Sequence, residues 1–393
     1  MIGADPPDPF AIFTEWGGEN DVNAFDRREK TMSQTVQVAR SDISRSRIVA
    51  VEQPPLGDGE VRLKVESFAV TANNVTYAVV GDAFGYWNFF PPSAEDEGEW
   101  GVVPMWGHAE VEGSRHPDIT VGERVYGYLP MATHLDVLPG SVSAAGFIDA
   151  AAHRQPMSPI YNQYSRLAAD PEHDPAREAQ RMIFGPLFKT GFLIESMFRR
   201  EGWFGAEAVV MTSASSKTAM GLASVARDRS PQIRRIGLTS AGNVEFVRST
   251  GLYDEVLAYD AISSLPQMAT VSVDFAGNAA LLHAVHSALG ECLKYSCTVG
   301  ATHVGQGFGR DSGPLPGPVP VLFFAPDHAV AAIGELGPKA FGEAVAQSWQ
   351  RFIGEAEGAV TVDTRPGLAA AASAFADTVK GIADPAVGIV IEP

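Results

Sequence analysis

The stretch "VVMTSASSKTAMGL", Val209 to Leu222, sets apolar residues ahead of a knot of small hydroxyl residues and one lysine, then opens a helix. Strand, tight turn and helix is how nucleotide-binding folds hold phosphate, because the first turn of a helix offers unpaired N–H donors and a positive dipole end. The glycines such turns ordinarily use are absent. Three readings follow: a phosphate cradle rebuilt with serines, a degenerate P-loop, or a buried strand-helix corner. A P-loop needs glycine where Met211 and Ser216 stand, and without both the backbone cannot wrap a phosphate as that motif requires.

Outward from this stretch the chain alternates. "AEAVVMT", "IRRIGLT", "DEVLAYD", "TVSVDFAG" and "CLKYSCTVG" read as near-continuous apolar strands, with "SKTAMGLASVARD" and "NVEFVRSTG" as helices between them. Buried strands alternating with helices predict a parallel sheet wound on both faces. Earlier in the chain, "QTVQVAR", "RIVAVEQ", "EVRLKVESFAV" and "DITVGERVYGYL" are short runs separated by turns such as "PPLGDGE", the pattern of an antiparallel barrel-like domain. The expected class is therefore α/β, a β-barrel domain beside a doubly wound sheet. Residues 140–180 read as a long irregular connection, followed by a helix at "FGPLFKTGFLIESMF". The tail adds a helix at "AFGEAVAQSWQRFIGEA", the run "GAVTVDT", another helix, and "AVGIVIEP" returning to the first domain.

A chain of 393 residues is too long for one ordinary core, so two domains are expected. Residues 1–31 are acidic and punctuated by Pro and Gly, a loose extension after which Met32 is an alternative start. No apolar run reaches about 18 residues, and the start lacks a basic segment followed by an apolar one, which argues for a cytoplasmic protein. A net charge of −18 without a Lys/Arg-rich run opposes nucleic acid or an anionic membrane as partner. The two cysteines, Cys292 and Cys297, point to opposite faces of a strand-like run, which disfavours a bridge between them. They read as small buried hydrophobes and are too few for a cysteine-built zinc site.

The order of elements, with "VVMTSASSKTAMGLASVAR" and "SVDFAG" in their places, resembles the medium-chain dehydrogenase/reductase superfamily. More narrowly, "SASSKTA", "YNQYSR" and "FFAPDH" resemble a bacterial and fungal branch defined by a domain without an assigned function. The resemblance implies a GroES-like barrel domain (32–185 and 325–393) with an inserted Rossmann domain (186–324). It places the three fingerprint glycines at Ser216, Lys217 and Ala219, of which the third tolerates alanine. Cβ atoms at the first two obstruct pyrophosphate, while Ser213, Ser215, Ser216 and Thr218 offer hydroxyls and Lys217 a counter-charge. A plain helix-capping cluster is the alternative. The second strand ends in Thr239, Ser240 and Asn243, with no carboxylate to repel a 2′-phosphate, so NADP(H) is favoured over NAD. Ala276 and Gly277 complete the implied cofactor contacts.

Zinc alcohol dehydrogenases of that superfamily take Cys and His ligands from the barrel. This barrel has no cysteine, and His108 in "WGHAEV" stands alone, so a structural histidine and a zinc-free protein are expected. The zinc-free relatives, quinone oxidoreductases and enoyl-thioester reductases, pass hydride from nicotinamide to an electron-poor carbon while the protein orients and polarises. Their loop with Asn and Tyr near the nicotinamide corresponds to "TANNVTYAVVGDAFGYW". Tyr77 is implied as a hydrogen-bond or proton donor, Asn74 as an orienting group and Tyr86 as a substrate contact. A tyrosine packing the cleft is the competing reading of Tyr77. "SPIYNQYSR" adds Tyr161, Asn162, Gln163, Tyr164 and Arg166, with Arg166 as a candidate for a carboxylate or phosphate, or else a segment that fills the cleft. The expectation is a zinc-independent NADP(H)-dependent reductase of an activated C=C bond or quinone. The alternative, prompted by the lost glycines, is a non-catalytic binding protein on the same fold. "VPVLFF" is apolar enough to pair edge-to-edge in a homodimer.

Overall fold

The computed structural model describes residues 32–299 and 315–393. The expected extension, residues 1–31, lies outside the described residues. Helices are numbered in chain order: α1 (Ala72–Val79), α2 (Glu178–Arg200), α3 (Lys217–Arg229), α4 (Val244–Ser249), α5 (Ala279–Leu289), α6 (Ala325–Leu336), α7 (Pro338–Ala356) and α8 (Leu368–Val379).

The apolar runs after residue 206 form a six-stranded parallel sheet. Its spatial order is Glu255–Ala258, Arg234–Thr239, Ala208–Met211, Thr270–Asp274, Leu293–Thr298 and Val321–Leu322. Numbered along the chain this is 3-2-1-4-5-6, the doubly wound dinucleotide-binding order. Side chains alternate as the two-residue period demands. Val209 and Met211 join the cluster of α2 and α3, whereas Ala208 and Val210 join Val285 and Leu289 of α5 on the other face. Strand order reverses between Ala208–Met211 and Thr270–Asp274, which opens a crevice at their carboxyl ends.

The earlier runs form an antiparallel layer in two sheets. Val61–Val70, Pro104–Ser114 and Arg124–Pro130 pair in succession at the centre of a nine-stranded sheet, and Met32–Ala39 pairs Asp42–Glu52 in a three-stranded one. The sheets enclose Val36, Leu63, Phe68, Met105 and Val111, with Leu368 and Phe375 of α8 against them. The C-terminal strand Val387–Glu392 returns antiparallel to Val61–Val70, with Ile389 opposite Val70.

Two expectations change. The span 140–180 is not merely connection: Gly146–Asp149 and Gln163–Arg166 extend the barrel sheet, Ser165 pairing with Tyr126. Its pairing is with a distant strand, so no local period announces it. The tail holds a further helix, α6, after "VPVLFF". Ala329 of α6 and Val345, Trp349 and Phe352 of α7 bury in the cluster of α2 and α3, so packing with the parallel-sheet unit continues beyond residue 325.

Candidate functional site

Between barrel and parallel sheet lies a cavity of about 410 Å³, within the range of ligand pockets. Barrel groups Asn73, Tyr77 and Trp106 form one wall, α2 and α7 another, and Phe323 and Phe324, just past the last parallel strand, a third. It therefore opens beside the carboxyl end of the sheet.

Tyr77 is placed by its helix. Thr71 and Asn74 cap α1 reciprocally, the Thr71 N–H donating to Asn74 Oδ1 at 2.7 Å. One turn apart on the helix, Asn73 Nδ2 donates to the Tyr77 hydroxyl at 2.6 Å, and Trp106 Nε1 adds a second donor at 3.1 Å. Burial and the neighbouring Tyr86 hold the Tyr77 phenol well above its usual range, so it stays protonated. With Asn73 and Trp106 donating to its oxygen, the phenol keeps its own proton to give, and the buried Tyr128 hydroxyl is a third neighbour of that oxygen. The Tyr86 and Tyr161 hydroxyls meet at 3.1 Å, and their rings lie 4.6 and 6.2 Å from that of Tyr77.

Three sequence candidates fall elsewhere. Asn74 does not line the cavity: its carbonyl serves the cap and its Nδ2 donates to Pro104 O at 2.8 Å. Its neighbour Asn73 lines the cavity instead. Tyr164 is 1% exposed, donating to Tyr128 O at 2.6 Å and accepting from Arg154 at 2.9 Å. Arg166 is spent on Glu123 at 2.7 Å and on Ser143 O at 3.1 Å. The local sequence could not show these partners, which arrive from other strands. Buried Arg154, which bridges Asp149, Asn162 and Tyr164, escaped the sequence reading for the same reason.

The serine-rich turn sits at the strand-order reversal. Ser213 takes a left-handed conformation, φ 45°, ordinarily a glycine's place. Its N–H donates to the Tyr259 hydroxyl at 3.1 Å. Ser216 caps α3, accepting from the Ala219 N–H at 3.2 Å. Among the described residues the N–H groups of Lys217 and Thr218 at the helix mouth make no hydrogen bond. Across the crevice Thr212 Oγ1 donates to Asp274 at 2.5 Å. The N–H groups of Ala276 and Gly277 bind the same carboxylate at 3.1 and 3.2 Å. Thr212 and Asp274 thus lock the two turns together, a hub the sequence hinted at only through "SVDFAG". Asn243 Nδ2 reaches Ser215 Oγ at 3.4 Å. Beside them the Thr239 hydroxyl is buried with no partner among the described residues.

Lys217, implied as a counter-charge for phosphate, is partly buried and turns its charge elsewhere. Its Nζ donates to Pro385 O at 2.7 Å, tying α3 to the segment before the last barrel strand. Burial pulls its pKa down to about 8, against an opposing pull from Asp384. His108 is wholly buried, and burial pulls it to about 4, so it is neutral. Among the described residues no group of three or more His, Cys, Asp or Glu could hold a metal ion. Cys292 and Cys297 are unbridged, the second buried and the first half-buried.

A barrel joined to a 3-2-1-4-5-6 sheet, with the crevice between them, is the fold of the medium-chain dehydrogenase/reductase superfamily. The chain belongs to the family described as "Protein of unknown function (DUF2855)", whose profile matches residues 68–384. No curated protein matches in sequence. Similar solved structures include CurA from Vibrio vulnificus in complex with NADPH, at TM-score 0.58 and 14% identity, covering 91% of this chain and 98% of that one. The yhdH oxidoreductase from Salmonella enterica in complex with NADP gives TM-score 0.53 and 13% identity over 92% and 99%. The CurK enoyl reductase gives TM-score 0.52 and 12% identity over 92% and 99%. At such identities the likeness is one of fold. No helix among the described residues is long and apolar enough to cross a membrane.

Proposed function

We propose that this protein is a zinc-independent, NADPH-dependent reductase of an electron-poor C=C bond or a quinone. The observation that carries the reading is Tyr77, a buried and protonated phenol fixed by Asn73 and Trp106, in a cavity at the carboxyl end of a dinucleotide-type sheet. The NADPH and NADP named for CurA and yhdH support the cofactor.

When bound, the nicotinamide supplies a hydride. The Lys217 and Thr218 N–H groups and the Ser213, Ser215 and Ser216 hydroxyls would take the pyrophosphate, and Thr239, Ser240 and Asn243 the adenosine end. Ala276 and Gly277 would flank the nicotinamide side. Tyr77 donates to the carbonyl oxygen as negative charge gathers there, with Tyr86 and Tyr161 beside it to orient the acceptor. We place α6 and α7 with the parallel-sheet unit, so that the barrel regains the chain near Thr361 rather than at 325. At the sheet edge, Val319 is 82% exposed beside Val321 and Leu322, and pairing with a second copy there is proposed.

The test is NADPH oxidation by purified protein with benzoquinone and neutral enones as acceptors, alongside fluorescence titration of NADPH and NADH. The reading expects NADPH to bind more tightly and at least one acceptor class to turn over. Absence of NADPH binding would leave the fold as a binding module.

A further inference from the structure

The cavity is lined by two unlike kinds of polar group. Tyr77, Tyr86 and Tyr161 bring hydroxyls to its lining, and Arg181 and Lys189 of α2 bring cations. Lys189 is spent on Glu172, its Nζ donating at 2.8 Å. Arg181 is different. It is 6% exposed, its Nη2 donates to Asp170 at 2.6 Å, and its guanidinium lies 4.1 Å from the centre of the Tyr126 ring. Its Nε and Nη1 are buried with no hydrogen-bond partner among the described residues.

A buried charged donor without an acceptor is costly, and a fold that keeps one has a use for it. The nearby carboxylates do not meet the need. Asp170 holds Nη2 and accepts the Glu172 N–H at 2.9 Å, and Glu172, which accepts from Lys189, also lies 3.8 Å from that same Nη2, so neither reaches Nε or Nη1. Neutral His108, whose ring centre lies 5.1 Å from that of Tyr126, has both ring nitrogens unpartnered among the described residues and so does not serve Arg181 either.

We propose that Arg181 anchors the anionic head of the substrate, and that the substrate is a carboxylate whose apolar body carries the reducible bond. Phe188, Leu193, Phe341 and Trp349 line the cavity to receive that body. The reducible bond rests on the reductase reading; the anion site stands on Arg181 alone.

The probes are crotonate, trans-2-octenoate and trans-cinnamate, each compared with its methyl ester by calorimetry on the full chain. At least one acid should bind about tenfold or more tighter than its ester. Arg181→Lys keeps a cation for Asp170 but gives up the planar guanidinium, and should shrink that preference to about threefold or less with NADPH affinity unchanged. If no acid binds more tightly than its ester to the wild-type chain, or if Arg181→Lys keeps the full preference, the proposal is wrong, whatever NADPH does. Acid preference without NADPH binding would instead overturn the reductase reading and keep the anion site.

Discussion

Tyr77 holds two donors on one oxygen, so replacing it by phenylalanine has two separable effects. Catalysis should fall by about 10²-fold or more, the usual worth of a positioned proton donor, with KM little changed. Stability should also fall by about 1–3 kcal/mol, because Asn73 Nδ2 and Trp106 Nε1 lose their acceptor. Lost stability with full kcat would make Tyr77 a packing residue. Lys217 gives a test by pH. Its folded pKa is lowered to about 8 from 10.5, so between those values the unfolded chain binds more protons and stability rises with pH. Below about 8 the buried charge costs its full amount, of order 1–3 kcal/mol. Lys217→Met removes this dependence, so its stability relative to wild type should drop as pH climbs from about 8 towards 10.5. Parallel melting curves across that window would show Lys217 to be solvated after all. At this scale the sequence was a fair guide to residue type and a poor one to orientation. Tyr77, Tyr86 and Tyr161 converge because helix spacing and one loop bring them round. Asn74, Tyr164 and Arg166 turn away to partners that no local pattern names.

The strand-turn-helix element was legible because its signals are local: an apolar run, a serine cap and a helical period. What the turn lacks in glycine it makes up by holding Ser213 at positive φ, braced by Tyr259 from a later strand end, which the sequence does not announce. Two helices meet more closely than their sequences suggest. A Cβ on Gly191 of α2 would lie 2.5 Å from the Leu222 nitrogen of α3, so the backbones nearly touch. Gly191→Ala should therefore destabilise by about 1–3 kcal/mol through overpacking, despite alanine's better helix propensity. Gly354 in α7 has nothing within 4 Å of its would-be Cβ, and Gly354→Ala should stabilise by up to about 1 kcal/mol. Thermal denaturation of the pair checks both signs, and equal melting points would mean that α2 and α3 yield freely.

At the scale of the molecule, charge decides how the proposed NADPH would be held. The protein carries −18 net, and NADPH is itself a polyanion, so long-range repulsion opposes the encounter. Between Thr212 and Ala219, and from Thr239 to Asn243, Lys217 is the sole Lys or Arg, and its ammonium is turned to Pro385. The phosphates would then meet N–H groups and hydroxyls rather than cations. Screening acts on the global repulsion while leaving short neutral hydrogen bonds almost untouched, since the Debye length falls from about 10 Å at 0.1 M to about 3 Å at 1 M. NADPH affinity should therefore hold constant or rise as sodium chloride is raised from about 0.05 to about 0.5 M. A cationic cradle would show the opposite, a steep fall. The measurement is the NADPH dissociation constant by fluorescence across that range, with Lys217→Ala in parallel. A tenfold loss with salt that vanishes in Lys217→Ala would mean that the lysine leaves Pro385 for the cofactor on binding, and that the serine turn works as a charged cradle.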